Sequence, residues 1–164
     1  YLSPEMKSTG EAIGYDKSLT RALHKALNAS GMKLSNYGTI LVTLADGDKE
    51  EALPLIRRFY NMGFNIEATR GTAVFLREHG IRTRMKRKLS DNSDEILEGI
   101  RKGFVTYVIN TREYDTSNEV SDGYEIRRCA SENNIQVFTA LDTVRVLLDV
   151  LEESTMTVST IDAN

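Results

Sequence analysis

The chain has 164 residues, of which 40% are hydrophobic and 27% charged, with a formal net charge of −3. That length and balance suit one globular domain with short extensions and a core that needs no covalent staples. The negative charge argues against a general nucleic-acid binder, and the one cysteine, Cys129, excludes an intrachain disulfide.

Cys129 falls in a helix-like stretch with no histidine close in sequence, so it reads as a small buried apolar residue rather than a reactive thiol. His24 and His79 lie far apart and, with a single cysteine, make no convincing zinc set. No apolar run approaches membrane-spanning length and no secretory signal opens the chain, so a reducing, cytoplasmic setting is expected. The first residue is Tyr1 rather than a methionine, and the chain is read as a fragment cut from something longer.

Residues 1–14 are polar, carry Pro4, Gly10 and Gly14, and read as a linker that packs on something upstream. Residues 15–30 place Leu19, Ala22, Leu23, Ala26 and Leu27 at helical spacing, with Gly31 as a stop. From Gly38 strand and helix patterns alternate. Residues 39–44 form an apolar run expected of a strand buried on both faces. Residues 49–61 carry Ala52, Leu55, Ile56 and Phe59 on one helical face, closed by Gly63. A second strand is predicted over 64–68 and a short helix over 72–78, ended by His79-Gly80. Residues 81–86 predict a poor, charged edge strand, and 93–101 a helix ended by Gly103. Strand 105–109, helix 123–133, strand 136–138 and helix 141–151 follow, and 152–164 lose the pattern and read as a polar tail. Five strands alternating with helices predict an α/β fold: a doubly wound five-stranded parallel sheet with helices on both faces. Such a sheet binds ligands at the carboxyl ends of its strands, where the strand order reverses.

The chemistry should therefore stand just after residues 44, 68, 86 and 109. After the first strand, Asp46 or Asp48 can cap the next helix, while Lys49 falls in its first turn, where the helix dipole disfavours a cation. An anion neutralised by Lys49 explains it as well as a solvated surface lysine does. After the second strand comes Thr69-Arg70-Gly71-Thr72: Gly71 for a tight turn, Thr72 opening a helix, and free amides and hydroxyls suited to a phosphate. A plain threonine N-cap is the ordinary alternative. Residues 70–88 hold Arg70, Arg77, Arg82, Arg84, Lys86, Arg87 and Lys88 against Glu78 alone, and no aromatics are interleaved as nucleic-acid stacking would need. A charged edge that resists sheet pairing accounts for some of these cations, and a phosphate-binding rim for one or two. After the fourth strand, Asn110 and Thr111 can bond a ribose or phosphate, or simply form a turn.

Ser3-Pro4-Glu5-Met6-Lys7-Ser8-Thr9-Gly10-Glu11 resembles the segment that closes the second ATP-handling half of carbamoyl phosphate synthetase large subunits. Gly47-Asp48-Lys49, Gly63-Phe64, Ala68 to Ala73, Gly80-Ile81, Val108 to Thr111 and Ile126-Arg127-Arg128 resemble, in order and spacing, the C-terminal allosteric domain of that family, which shares its fold with methylglyoxal synthase. The likeness covers about residues 1–151 and implies a division into a linker at 1–14, the allosteric domain with its leading helix 15–30 at 15–151, and the tail at 152–164. It also implies strand order 3-2-1-4-5.

The resemblance implies a regulatory domain that does no chemistry itself. It would bind a phosphorylated effector such as uridylate, inosinate or phosphoribosyl pyrophosphate; some members take ornithine or N-acetylglutamate. The implied phosphate-contacting positions are Thr43, Lys49, Thr69, Thr72, Lys88, Asn110 and Thr111. At three places the chain departs from the family's pattern: Arg87-Lys88 with Asp91-Asn92-Ser93, Arg112, and Leu141-Asp142-Thr143 where a glycine pair is usual.

The parent would be a ligase making carbamoyl phosphate from bicarbonate, glutamine or ammonia, and ATP, for pyrimidine or arginine synthesis. ATP and magnesium or manganese would bind in its catalytic halves, and no cofactor or metal is expected in this fragment. The implied partners are the catalytic body of the same subunit, the glutaminase small subunit, the effector and possible further copies of the chain; no nucleic acid or membrane is expected. Two alternatives stand beside this. One is a methylglyoxal-synthase-type phosphate lyase, which needs a carboxylate base beside the substrate. The matching stretch, Ser90 to Asp94, lacks the family's glycines, and Asp91 and Asp94 read as helix caps. The other is a docking module with a vacant site.

Overall fold

The computed structural model describes residues 34–89, 93–111 and 117–163, with side chains over 34–89, 93–111 and 123–154. The expected leading helix and linker lie outside the described residues. Strand β1 (Thr39–Thr43) is the apolar run TILVT, with Ile40, Leu41 and Val42 buried. It leads through a 3-10 turn (Asp46–Asp48) into helix α1 (Lys49–Asn61). Strand β2 (Asn65–Thr69) passes directly into helix α2 (Arg70–Glu78). There follow β3 (Thr83–Lys86), α3 (Glu95–Arg101), β4 (Tyr107–Asn110), α4 (Ser117–Glu132), β5 (Gln136–Phe138) and α5 (Leu141–Ala163).

All four strand pairings are parallel, and the five strands lie in the order β3-β2-β1-β4-β5 with helices on both faces. Right-handed crossovers carry the chain outward through α1 and α2 on one face and back through α3 and α4 on the other. α1 packs beside α2, and α3 beside α4. Under α3 and α4 the core joins Leu41 and Val108 of the sheet to Ile96, Ile100, Ile126, Cys129 and Ala130. Alternation then points Ile40, Val42, Ile66, Ala68 and Ile109 to the face of α1 and α2. α1 turns Ala52, Leu55, Ile56 and Phe59 inward, and Phe59 meets Phe64 edge to face at 5.4 Å. Residues 37–139 make one compact unit, and α5 belongs to a second one.

Several boundaries differ from the sequence reading, each for a local reason. α2 starts at Arg70, not Thr72, because the chain enters the helix straight from Thr69 (φ −72°, ψ 165°) and Gly71 takes no left-handed turn. β3 starts at Thr83, since the Ile81 amide is spent closing α2 on the Leu76 carbonyl. α3 starts at Glu95, whose amide bonds the Ser93 hydroxyl; Asp94 holds the N-cap position without a side-chain cap bond. Asp91 lies outside the described residues. α4 begins at Ser117 and contains Gly123 rather than starting there. α5 runs to Ala163, well past Leu151, because no glycine or proline interrupts 141–163 and its Ser and Thr residues only weaken a helix. The helix stops at Gly63, Gly80 and Gly103 fall where the sequence puts them, and α4 uses Asn134 (φ 59°) in the same left-handed role.

Candidate functional site

The strand order reverses between β1 and β4, so the carboxyl ends of β2, β1 and β4 form the rim to inspect. Beyond β1, Asp48 takes the N-cap position of α1 but makes no side-chain cap bond. Neither aspartate caps the helix as the sequence suggested. Asp46 instead turns to Lys49, with Oδ1 and Nζ 2.6 Å apart. The Lys49 side chain is only 17% exposed and that of Asp46 is 87% exposed, so Lys49 is no solvated surface lysine. The hydrogen bond from Lys49, and then the charges of Lys49 and Lys88, hold the Asp46 carboxyl below the usual carboxylate range. The anion that Lys49 meets within its own chain is thus Asp46.

The same ammonium reaches the start of α2. A Cβ placed on Gly71 would lie 3.5 Å from Lys49 Nζ, so the cation stands against bare backbone in that first turn. Thr69 occupies the N-cap of α2 without bonding its first amides. A helix begins with unpaired N–H groups and a partial positive charge, and a lysine added there favours an anion between them. Thr72, almost fully buried, accepts the Leu44 amide at 3.2 Å. It lies in the first turn of α2 rather than opening it.

From β4, Asn110 accepts the Thr43 hydroxyl at 2.7 Å and directs its amide nitrogen to the Gly123 carbonyl at 3.5 Å. Thr111 accepts the Ala45 amide at 3.0 Å, while its own amide donates to Thr43 O. Two threonines, one in the first turn of α2 and one just beyond β4, therefore hold the consecutive amides of Leu44 and Ala45. Each hydroxyl that accepts in this way keeps its hydrogen for an outside acceptor. Among the described residues the Thr69 hydroxyl has no partner at all.

Thr43, Lys49, Thr69, Thr72, Asn110 and Thr111 thus come to one rim. Lys88, half-buried beyond β3, makes no direct bond to them, but its charge acts on Asp46. The other cations of 70–88 divide. Arg77 donates twice to the Thr83 carbonyl, and Arg84 and Lys86 approach Glu67 at 3.9 and 3.8 Å. These serve the β3 edge.

The sequence reading weighed Asp46 only as a cap, though its three-residue spacing from Lys49 was a sign of pairing. Glu67 carries no mark in the sequence, and Lys86 stands there only as one of the cations of 70–88. The register pairs Thr69 with Lys86 and Thr43 with Asn110, which puts Lys86 in one row with the rim's polar side chains and buried Glu67 just below.

Cys129 is buried, burial pushes its thiol above the ordinary range, and it takes no part in the rim. Among the described residues no cluster of His, Cys, Asp and Glu could hold a metal ion, and no helix is long and apolar enough to cross a membrane.

The MGS-like domain family model matches residues 51–139, more than half of the chain. The match takes in Thr69, Thr72, Lys88, Asn110 and Thr111; Thr43 and Lys49 stand before it and are tied to it by the contacts above. A parallel sheet in the order 3-2-1-4-5, matched over most of its length by that model, makes this chain a member of the MGS-like domain family.

Proposed function

We propose that this domain is a regulatory module that binds a phosphorylated effector at the carboxyl rim of β1, β2 and β4. One observation carries the reading: the Lys49 ammonium, on a side chain only 17% exposed, stands against the uncapped first turn of α2. Thr69 and Thr72, with hydroxyl hydrogens left to donate, flank Gly71 in the chain, and Thr111 offers a third from beyond β4. Lys49 supplies charge, α2 supplies main-chain amides, and Thr69, Thr72, Asn110 and Thr111 supply neutral hydrogen bonds; Thr43, whose hydroxyl donates to Asn110, orients that amide, and Lys88 is an outer cation.

The resemblance of residues 1–151 to carbamoyl phosphate synthetase large subunits supports placing the module in such a parent, a ligase working with a glutaminase subunit. Uridylate, inosinate and phosphoribosyl pyrophosphate are the effectors to try. Regulation follows if the effector prefers one arrangement of the domain against the parent's catalytic body.

Calorimetry with these three ligands and ornithine tests the reading. A phosphorylated ligand is expected to bind, and Lys49→Ala to weaken it roughly 10- to 100-fold, the worth of a charge-assisted hydrogen bond. Undiminished binding to the variant would remove Lys49 from the site. Incubation with dihydroxyacetone phosphate separates the lyase alternative. Asp94, the described carboxylate of the stretch that holds the lyase's base, sits at the N-cap of α3. No phosphate release is expected, and steady turnover would reverse the choice.

A further inference from the structure

The Lys49–Asp46 contact bears on how the site would be filled. We infer that Asp46 is an internal substitute for the ligand's phosphate: it holds Lys49 in this structure, and an incoming phosphate group must displace it. This rests on the reading of Lys49 as a phosphate ligand.

An ammonium on a side chain only 17% exposed has part of its surroundings supplied by protein and gains from a charged acceptor. Asp46 provides one at 2.6 Å, from a 3-10 turn only three residues away. A phosphate dianion and a carboxylate sharing that one ammonium would repel each other at close range. One of them has to leave, and the asymmetry in exposure decides which. The Asp46 side chain is 87% exposed, so water receives it readily once the pair opens, whereas Lys49 stays buried at the start of α2. Ion pairs with an exposed partner are weak enough for a doubly charged ligand to replace. Lys88, the other cation acting on Asp46, gives the released carboxylate a favourable field.

Two consequences follow. Asp46 sets phosphate affinity below what an unopposed lysine would reach. Ligand binding also frees the Asp46 side chain in the turn Asp46–Asp48, the link between β1 and α1, while the Asp48 amide keeps its bond to the Ala45 carbonyl, so site occupancy is reported at that side chain.

The test is calorimetry with inorganic phosphate and with uridylate, at fixed ionic strength, on the wild type, Asp46→Asn, Asp48→Asn, Lys49→Ala and the Asp46→Asn/Lys49→Ala double variant. Asp46→Asn is expected to tighten both ligands roughly threefold, the scale of a surface ion pair. Asp48→Asn makes the same change of charge without touching Lys49 and should leave affinity nearly unchanged. In the double variant the gain should vanish. Unchanged or weaker binding by Asp46→Asn, with the wild type binding and Lys49→Ala failing, would mean that Asp46 positions the lysine; that outcome overturns the inference alone. An equal gain in Asp48→Asn reduces the effect to net charge and overturns it too. If no protein binds either ligand, or Lys49→Ala binds like the wild type, the rim reading itself falls and takes this inference with it.

Carboxyl-carbon NMR gives a second readout on the wild type. With saturating phosphate the Asp46 titration midpoint should move up from its depressed position as the Lys49 bond opens, and an unmoved midpoint overturns displacement.

Discussion

The two rims of the same sheet use threonine in opposite ways. At the amino rim, Thr106 accepts the Thr39 amide at 3.2 Å and donates to the Tyr37 carbonyl at 3.5 Å. Its hydroxyl is spent in both directions, and it lies where any side chain on Gly38 would have to go. At the carboxyl rim, Thr72 and Thr111 accept the amides of Leu44 and Ala45 and have no acceptor of their own among the described residues. Thr69 has neither. A hydroxyl bonded as acceptor only is held in place and still carries a hydrogen to offer. The amino rim is thus a closed structural joint, whereas at the carboxyl rim Thr69, Thr72 and Thr111 keep hydroxyl hydrogens to offer and the Lys49 ammonium stands beside Gly71.

That contrast can be broken by substitution, and the largest effect belongs to the closed joint. Gly38 has φ +123°, and an added Cβ would fall 2.0 Å from Thr106 Oγ1. Gly38→Ala should therefore cost about 2–4 kcal/mol, combining backbone strain with overpacking. Urea denaturation measures the loss, and phosphate affinity of the remaining folded protein should be unchanged.

Next in size is Thr72→Val. It leaves the Leu44 amide without its acceptor, which should cost about 1–2 kcal/mol, and it removes a donor from the rim, so phosphate affinity should fall about tenfold. Thr72→Ser should keep both. A valine variant that loses stability and binds normally would make Thr72 as purely structural as Thr106.

The smallest stability effect, and the sharpest separation, is expected of Gly71→Ala. Gly71 lies inside α2 without positive φ, and its new methyl meets Lys49 Nζ at an ordinary 3.5 Å. Stability should hold or rise by about 0.5 kcal/mol from helix propensity, while the methyl covers the bare backbone and lowers phosphate affinity several-fold. Thermal unfolding and calorimetry on one preparation check both halves. Binding left intact would place the anion elsewhere on the rim.

Much of the fold was legible because it rests on local patterns. α1 at 49–61 and β5 at 136–138 were read with the bounds the structure has, the one from its apolar spacing and Gly63, the other from a short apolar run. The edge position of β3 followed from its charge. α2 and α4 start before, and α3 after, the residues the sequence pattern points to, because the backbone runs helically through Gly71 and Gly123 and leaves Ser93 outside α3, bonded to the Glu95 amide. The extension of α5 was missed because a run of weak helix formers has no strong signal of its own. At the rim, residue types and positions were visible, but hydrogen-bond direction was not. Nothing in the string tells that Thr72 accepts from Leu44 while Thr43 donates to Asn110, residues 28 and 67 positions apart.

The sequence by itself determined the class of fold and the edge of the sheet where polar side chains gather. Strand and helix periodicity are local, and right-handed crossovers leave few ways to join them. Only the tertiary structure decided which hydroxyls are consumed and which are offered, and that Lys49 reaches Gly71 while held by Asp46. Those facts depend on the register and approach of segments far apart in the chain.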